Sequence, residues 1–243
     1  MARKAAKRSS GKTDKSAPRR GLFSSLRRWI WRLFLIVTVL VVLLVVIFSQ
    51  ISPPRTFYMG QEARRLGAID YQWVPMSAVA PVMARSVVAA EDANFCRHWG
   101  FDMDAIRAAL EEGSGRGAST ISQQVVKNVF LWHGRSWARK ALEAAITPLV
   151  ELVWSKRRIV EVYLNVAEFD EGVFGIDAAA YHYFGVGPGE LSPTQAARLA
   201  MVLPNPKGRS ASKPTAQQRK RAAQILDGAA TIRRDGRAAC FED

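Results

Sequence analysis

From Leu33 to Phe48 the chain is apolar throughout except for Thr38, and Trp29, Ile30, Trp31 and Ile51 extend the run at its flanks. With those flanks it reaches the roughly 20 residues that a helix needs to cross a bilayer. A cleaved signal peptide would have an apolar core of about 7–15 residues and then a small-x-small cleavage site. Here the core is longer, and the residues from Phe48 to Pro54 offer no such site. The run reads as an uncleaved membrane anchor over residues 29–51.

Charge gives the anchor a direction. The 243 residues carry a formal charge of +14, yet residues 1–32 hold eleven Lys or Arg and one acid, Asp14, so +10 lies in that short tail. A basic tail beside an apolar run is explained by anionic lipid, and nucleic acid is not expected as a partner. Arg27, Arg28 and Arg32 hold that end in the cytoplasm, with Trp29 and Trp31 at headgroup level. Residues 1–28 are then a cytoplasmic tail and residues 52–243 one domain outside the cytoplasm, large enough for a substantial core. Cys96 and Cys240 are the only cysteines. An oxidising compartment permits a bridge between them, but sequence alone does not fix its geometry.

Beyond Trp73 the signals are nearly all helical. Thr120 and Gln123 form a Thr-x-x-Gln capping box, followed by Ile121, Val125 and Val129 at four-residue steps. Asp102 caps the segment holding Ile106 and Leu110. Leu142, Ile146, Leu149, Val150 and Val153 make a long stripe in which Pro148 should place a kink. Ile159, Val162, Tyr163 and Val166 repeat the pattern. Ser192 and Gln195 form a second capping box with Pro193 at the first helical position. Phe57-Tyr58 and Trp73-Val74 are the candidates for short extended pieces. The segment from Glu111 to Gly117 is too rich in glycine to extend a helix and reads as a connector. The domain is mostly α.

The polar residues around the first capping box are unusual for a face meant only for water, which would mix Glu with Lys. Ser119, Thr120, Gln123, Gln124, Lys127 and Asn128 offer hydroxyls, amides and one cation, suited to sugar and phosphate oxygens. Lys127, Arg135, Arg139 and Lys140 gather in the same region. Glu143 follows Arg139 by four residues and Lys140 by three, sharing their helical face. Glu91 stands well upstream at the end of a helix running from Val82. A helix C-terminus disfavours a carboxylate and raises its pKa, which suits a general base. Other constellations fail. Ser119 lacks the glycine pattern of a nucleophile elbow, and His98, His133 and His182 lack metal-ligand spacing. Gly185, Gly187 and Gly189 lack the strand and helix of a nucleotide loop.

Five ordered blocks carry a resemblance. They are Ala90 to Asp102 (AEDANFCRHWGFD), Gly117 to Leu131 (GASTISQQVVKNVFL), Arg135 to Glu143 (RSWARKALE), Lys156 to Asn165 (KRRIVEVYLN) and Leu191 to Ala200 (LSPTQAARLA). In that order and spacing, from about Phe57 to Pro206, the chain resembles the peptidoglycan glycosyltransferases. The resemblance implies a lysozyme-like glycosyltransferase domain behind one transmembrane helix, anchored in the inner membrane. It implies lipid II as acceptor and a growing lipid-linked glycan as donor. Coupling inverts the anomeric carbon to a β-1,4 linkage and releases undecaprenyl pyrophosphate. Partners would be these lipids, the membrane and proteins of the division or elongation machinery. Glu91 would be the base; Lys127 and Arg135 foremost, with Arg139 and Lys140, would stabilise the leaving group. Glu143 would orient those cations or hold a divalent metal, Mg²⁺ or Mn²⁺; no organic cofactor is implied. Asp92 and His98 are expected to support the first block, while Tyr163, Asn165 and Glu168 either shape the acceptor side or serve the fold. Two rivals remain at this point: a lytic enzyme cleaving the same glycan, and an inactive glycan-binding scaffold. Intact Glu91 and Glu143 oppose the scaffold, and moenomycin-sensitive polymerisation would separate it.

Overall fold

A computed structural model describes residues 20–111, 113 and 119–242. Most of the basic tail and of the glycine-rich connector lies outside the described residues. The chain divides into two units, residues 1–43 and residues 44–243.

The first unit is the body of helix α1, Arg20–Phe48. Its stretch Ser24–Phe48 has a mean hydropathy of 3.0 and is long and apolar enough to cross a membrane. Side chains from Trp29 to Leu40 stand exposed around the helix, as expected of a surface meant for lipid. The last turn of α1 belongs to the second unit. There Val45 is buried, and its carbonyl accepts the indole N–H of Trp154 at 2.7 Å. The Arg158 guanidinium donates to the carbonyl of Phe48 at 3.0 Å.

In the second unit α2 is Phe57–Leu66, β1 Asp70–Tyr71, α3 Pro81–Glu91 and α4 Met103–Glu111. Then follow α5 Ile121–Phe130, α6 Trp137–Val153, α7 Lys156–Val166, β2 Glu168–Asp170 and β3 Val173–Phe174. The chain closes with α8 Gly175–Phe184, α9 Pro193–Val202, α10 Ala216–Arg234 and α11 Ala239–Glu242. Helices α3, α9 and α10 pack mutually, while α5 packs on α6 and α7. The small sheet has strand order β1-β3-β2, with β1 parallel and β2 antiparallel to β3. Phe57 and Tyr58 open α2 rather than a strand. The Thr56 hydroxyl accepts the Met59 N–H, an N-cap that sequence conceals because Met stands where a capping box usually has Glu or Gln. Asp70 and Tyr71, not Trp73 and Val74, form the strand. The Asn165 side chain instead pairs with the backbone of Val74, accepting its N–H at 2.8 Å and donating to its carbonyl at 2.9 Å.

The expected stripe on α6 is divided. Ile146 and Val150 are buried, but Leu142 and Val153 are exposed, and Trp137 and Leu152 join them outside. The inner face carries Glu143, Thr147 and Glu151, because each has a polar partner there. Pro148 lies inside α6, which continues through it to Val153. On α5 the core residues are Ile121, Val125 and Val126, with Val129 only partly buried.

The first sequence block is tied down from three sides. Cys96 forms a disulfide with Cys240 of α11, closing a loop of 144 residues. Lys156 donates to the carbonyl of His98 at 2.8 Å and pairs with buried Glu151, which also accepts the Ser122 hydroxyl. Gly100 has φ of 83°, and a Cβ there would lie 2.5 Å from a methyl of Thr147, so only glycine fits between this block and α6.

Candidate active site

Glu91 ends α3 and lies on a cleft of about 1220 Å³, walled by Gln124 of α5, Ser119, Arg209 and, from α10, Lys220 and Arg221. The Gln124 amide nitrogen donates to Glu91 Oε2 at 2.9 Å. Burial raises the pKa of Glu91, opposed by that hydrogen bond and by the positive charges of Arg221, Lys127 and Arg209. The upward direction matches the expectation from sequence, but the main cause is desolvation rather than the helix end.

Asp92 is a fixed post beside it. One carboxylate oxygen accepts the Ile121 N–H at 3.0 Å, and the other pairs with His98 Nε2 at 2.8 Å. An anion against the first turn of α5 suits the helix dipole and holds α5 to the end of α3. Asp92, His98 and Asp102 come within 4.8 Å of one another. Their oxygens are already engaged, those of Asp102 by Asn94 and the N–H groups of Asp104 and Ala105, which makes Asp102 the expected cap of α4.

The polar set around α5 separates into two groups. Thr120 and Gln123 are buried; the Thr120 hydroxyl and the Gln123 carbonyl oxygen serve the capping box, and the Thr120 hydroxyl also donates to the carbonyl of Gly100 at 2.7 Å. They build the helix start, and of their side-chain donors the Gln123 amide nitrogen alone has no partner among the described residues. Ser119 accepts from Lys140 at 3.1 Å. Gln124, Lys127 and Asn128 are partly buried, and the Asn128 carbonyl oxygen has no partner among the described residues.

The cations are divided in the same way. Arg139 donates to Glu143 Oε2 at 2.6 Å and to the carbonyl of Gly134 at 3.0 Å, and Lys140 pairs with the other oxygen of Glu143. Glu143 is 2% exposed. Both of its oxygens are therefore held by cations. A divalent ion at Glu143 would have to displace one and sit against the rest, so the residues present do not fit a metal there. Lys127 forms no hydrogen bond or ion pair among the described residues. Burial pushes its pKa down, Glu143 and Glu91 pull it up, and Arg139 and Lys140 press it lower. Lys127 thus stands within the fields of both carboxylates. Arg135 is exposed in the connection between α5 and α6, also without a partner among the described residues.

Of the remaining expectations, Asn165 serves the fold through Val74. Glu168 accepts the Tyr58 hydroxyl at 2.8 Å, and Tyr163 reaches the cleft through Gln124 Oε1 at 3.3 Å. Sequence reading missed Arg209, Lys220 and Arg221. The run Arg219-Lys220-Arg221 is the sequence signal for two of them, but local pattern does not say which pocket it faces.

Comparison with known proteins follows the same lines. The family described as Transglycosylase matches residues 59–230. A biosynthetic peptidoglycan transglycosylase of Jannaschia sp. (strain CCS1) is 58% identical over 95% of this chain and 97% of its own length. Proteins of the same name from Rhodospirillum centenum and Caulobacter vibrioides are 47% and 44% identical, over 84% and 88% of this chain and 90% and 96% of their own. The mostly helical, lysozyme-like class read from the sequence holds with this match. The chain belongs to the transglycosylase family.

Proposed function

We propose that this protein is a peptidoglycan glycosyltransferase that polymerises lipid II into β-1,4-linked glycan strands. The observation that carries the reading is the division of labour between the two carboxylates. Glu91 faces the cleft with an amide donor and, among the described residues, no ion pair, while Glu143 is enclosed by Arg139 and Lys140.

The chemistry follows from that division. Glu91 takes the proton of the acceptor hydroxyl as its oxygen bonds to the anomeric carbon of the donor. The bond from that carbon to the lipid pyrophosphate breaks on the opposite face, so configuration inverts. The electron pair leaves with undecaprenyl pyrophosphate, which needs positive charge rather than a proton. Lys127 and Arg135, without an anionic partner among the described residues, supply it, and Arg139, Lys140 and Glu143 fix the surrounding field. A lytic enzyme would need a second carboxyl to protonate a departing sugar oxygen. Glu143 is in the wrong setting for that role, since a cation holds each oxygen.

The membrane completes the reading. Helix α1 would anchor the chain in the inner membrane with its basic flank in the cytoplasm and the catalytic unit outside. The exposed apolar side chains Trp137, Leu142 and Leu152 of α6 support a unit that works against lipid. Incubating the reconstituted protein with labelled lipid II should give a ladder of glycan that muramidase digests. Failure to extend lipid II, with shortening of preformed glycan, would replace this reading with the lytic one.

A further inference from the structure

Tyr163 of α7 is 2% exposed, and its hydroxyl has one hydrogen-bond partner among the described residues, the carbonyl oxygen of Gln124 at 3.3 Å. The other end of the same amide donates to Glu91 at 2.9 Å. A primary amide has one accepting end and one donating end. With its oxygen occupied by the phenol, Gln124 must turn its nitrogen to Glu91. Turned the other way, it would offer Glu91 an oxygen, and only a protonated carboxyl could donate to that. The amide's orientation therefore selects which form of Glu91 is stabilised.

The phenol can fill this role at any working pH. Burial and the nearby charge of Glu91 hold its pKa well above the ordinary value, so it remains a donor. The other groups facing Glu91 are Lys127 from α5, Arg209 ahead of α10 and Arg221 of α10, all cations that favour the ionised carboxylate. Neighbouring Asp92 is engaged with Ile121 and His98.

We propose that Tyr163 is a positioning residue: by donating to Gln124 it locks the amide in the orientation that donates to Glu91, and so keeps Glu91 in its proton-accepting form. The effect on rate rests on Glu91 being the base, as proposed above; the effect on Glu91 itself does not.

The test uses full-length protein in nanodiscs with ¹³C-labelled Glu carboxyls, the Glu91 signal being assigned by its loss in Glu91→Gln. In Tyr163→Phe, confirmed folded by thermal melting, the Glu91 titration should move up by about one unit. Gln124→Leu should produce a similar move, and the double variant no further one, because Tyr163 acts only through Gln124. The acidic limb of kcat/KM for lipid II should move with the titration. An unmoved Glu91 titration in folded Tyr163→Phe would overturn the proposal, and a uniform loss of rate with no displacement in pH would mark the phenol as packing alone. A moved titration with an unmoved acidic limb would support the positioning and remove Glu91 as the base.

Discussion

Asp92 accepts the backbone N–H of Ile121 at 3.0 Å, so the residue after Glu91 also fixes the first turn of α5. That bond sets the register between two sequence blocks. With α3 ending at Glu91 and α5 beginning at Ile121, Gln124 falls one turn into α5 and meets the Glu91 carboxylate. Lys127 follows after about one more turn, within the field of Glu91 and Glu143 alike. A single backbone contact thus aligns Glu91, the proposed base, with Lys127.

Glu143→Gln should lower polymerisation by about 10²-fold, the range expected when positioned charges around a departing anion are disturbed. It leaves Arg139 and Lys140 with a weaker acceptor, so stability should fall by about 2 kcal/mol, less than for a fully buried pair because Lys140 is partly exposed. Titrations of activity with Mg²⁺ or Mn²⁺ should superimpose on wild type after scaling. A changed metal midpoint would show that Glu143 ligates the ion after all.

Much of this geometry was legible where local rules apply. The Thr120–Gln123 and Ser192–Gln195 boxes and the Asp102 cap stand where sequence puts them, because each depends on residues within one helical turn. The inward turn of Thr120 and Gln123 was not legible, since a capping box looks alike whether its helix start faces water or Gly100. The α6 stripe misled for a similar reason. Buried Glu143 and Glu151 find partners that only tertiary packing supplies, and their demand for those partners outranks the burial of Leu142. Arg221 reaches the field of Glu91 through the packing of α10 on α3, and Arg209 from the segment ahead of α10, long-range placements without local periodicity.

The stability of the enzyme should carry the signature of Glu91. Burial raises its pKa above the ordinary 4.5, so the folded state holds that proton more tightly than the unfolded chain. This contribution is fully present below the unfolded value and is lost as pH rises through the folded one. Near pH 7.5 the ionised Glu91 should weigh against the fold, and Glu91→Gln should melt higher than wild type. The difference should close as the pH falls below 4.5. Parallel melting curves from pH 4 to 8 would contradict the burial account.

The boundary between the two units lies inside α1. Removing residues 1–43 should leave a folded unit that is less active on bilayer-embedded lipid II, having lost the effective concentration that anchoring provides. Removing residues 1–51 also deletes Val45 and Phe48, orphaning the indole N–H of Trp154 and leaving the Arg158 guanidinium with Glu161 but without its backbone acceptors. The longer deletion should cost about 1–3 kcal/mol more, read by chemical denaturation of the two truncations. Equal stability would show that the last turn of α1 is dispensable to the fold.

Single-turnover coupling of lipid II to a lipid-linked donor, comparing wild type, Glu91→Gln and Lys127→Ala with folding checked by circular dichroism, tests the division between base and cations most directly. Glu91→Gln keeps shape and hydrogen bonding but cannot accept a proton, so coupling should fall by about 10²–10⁴ with lipid II binding unchanged. Lys127→Ala should also fall, but recover in part with a donor carrying a better leaving group, whereas Glu91→Gln should not. Near wild-type coupling by folded Glu91→Gln would contradict the account.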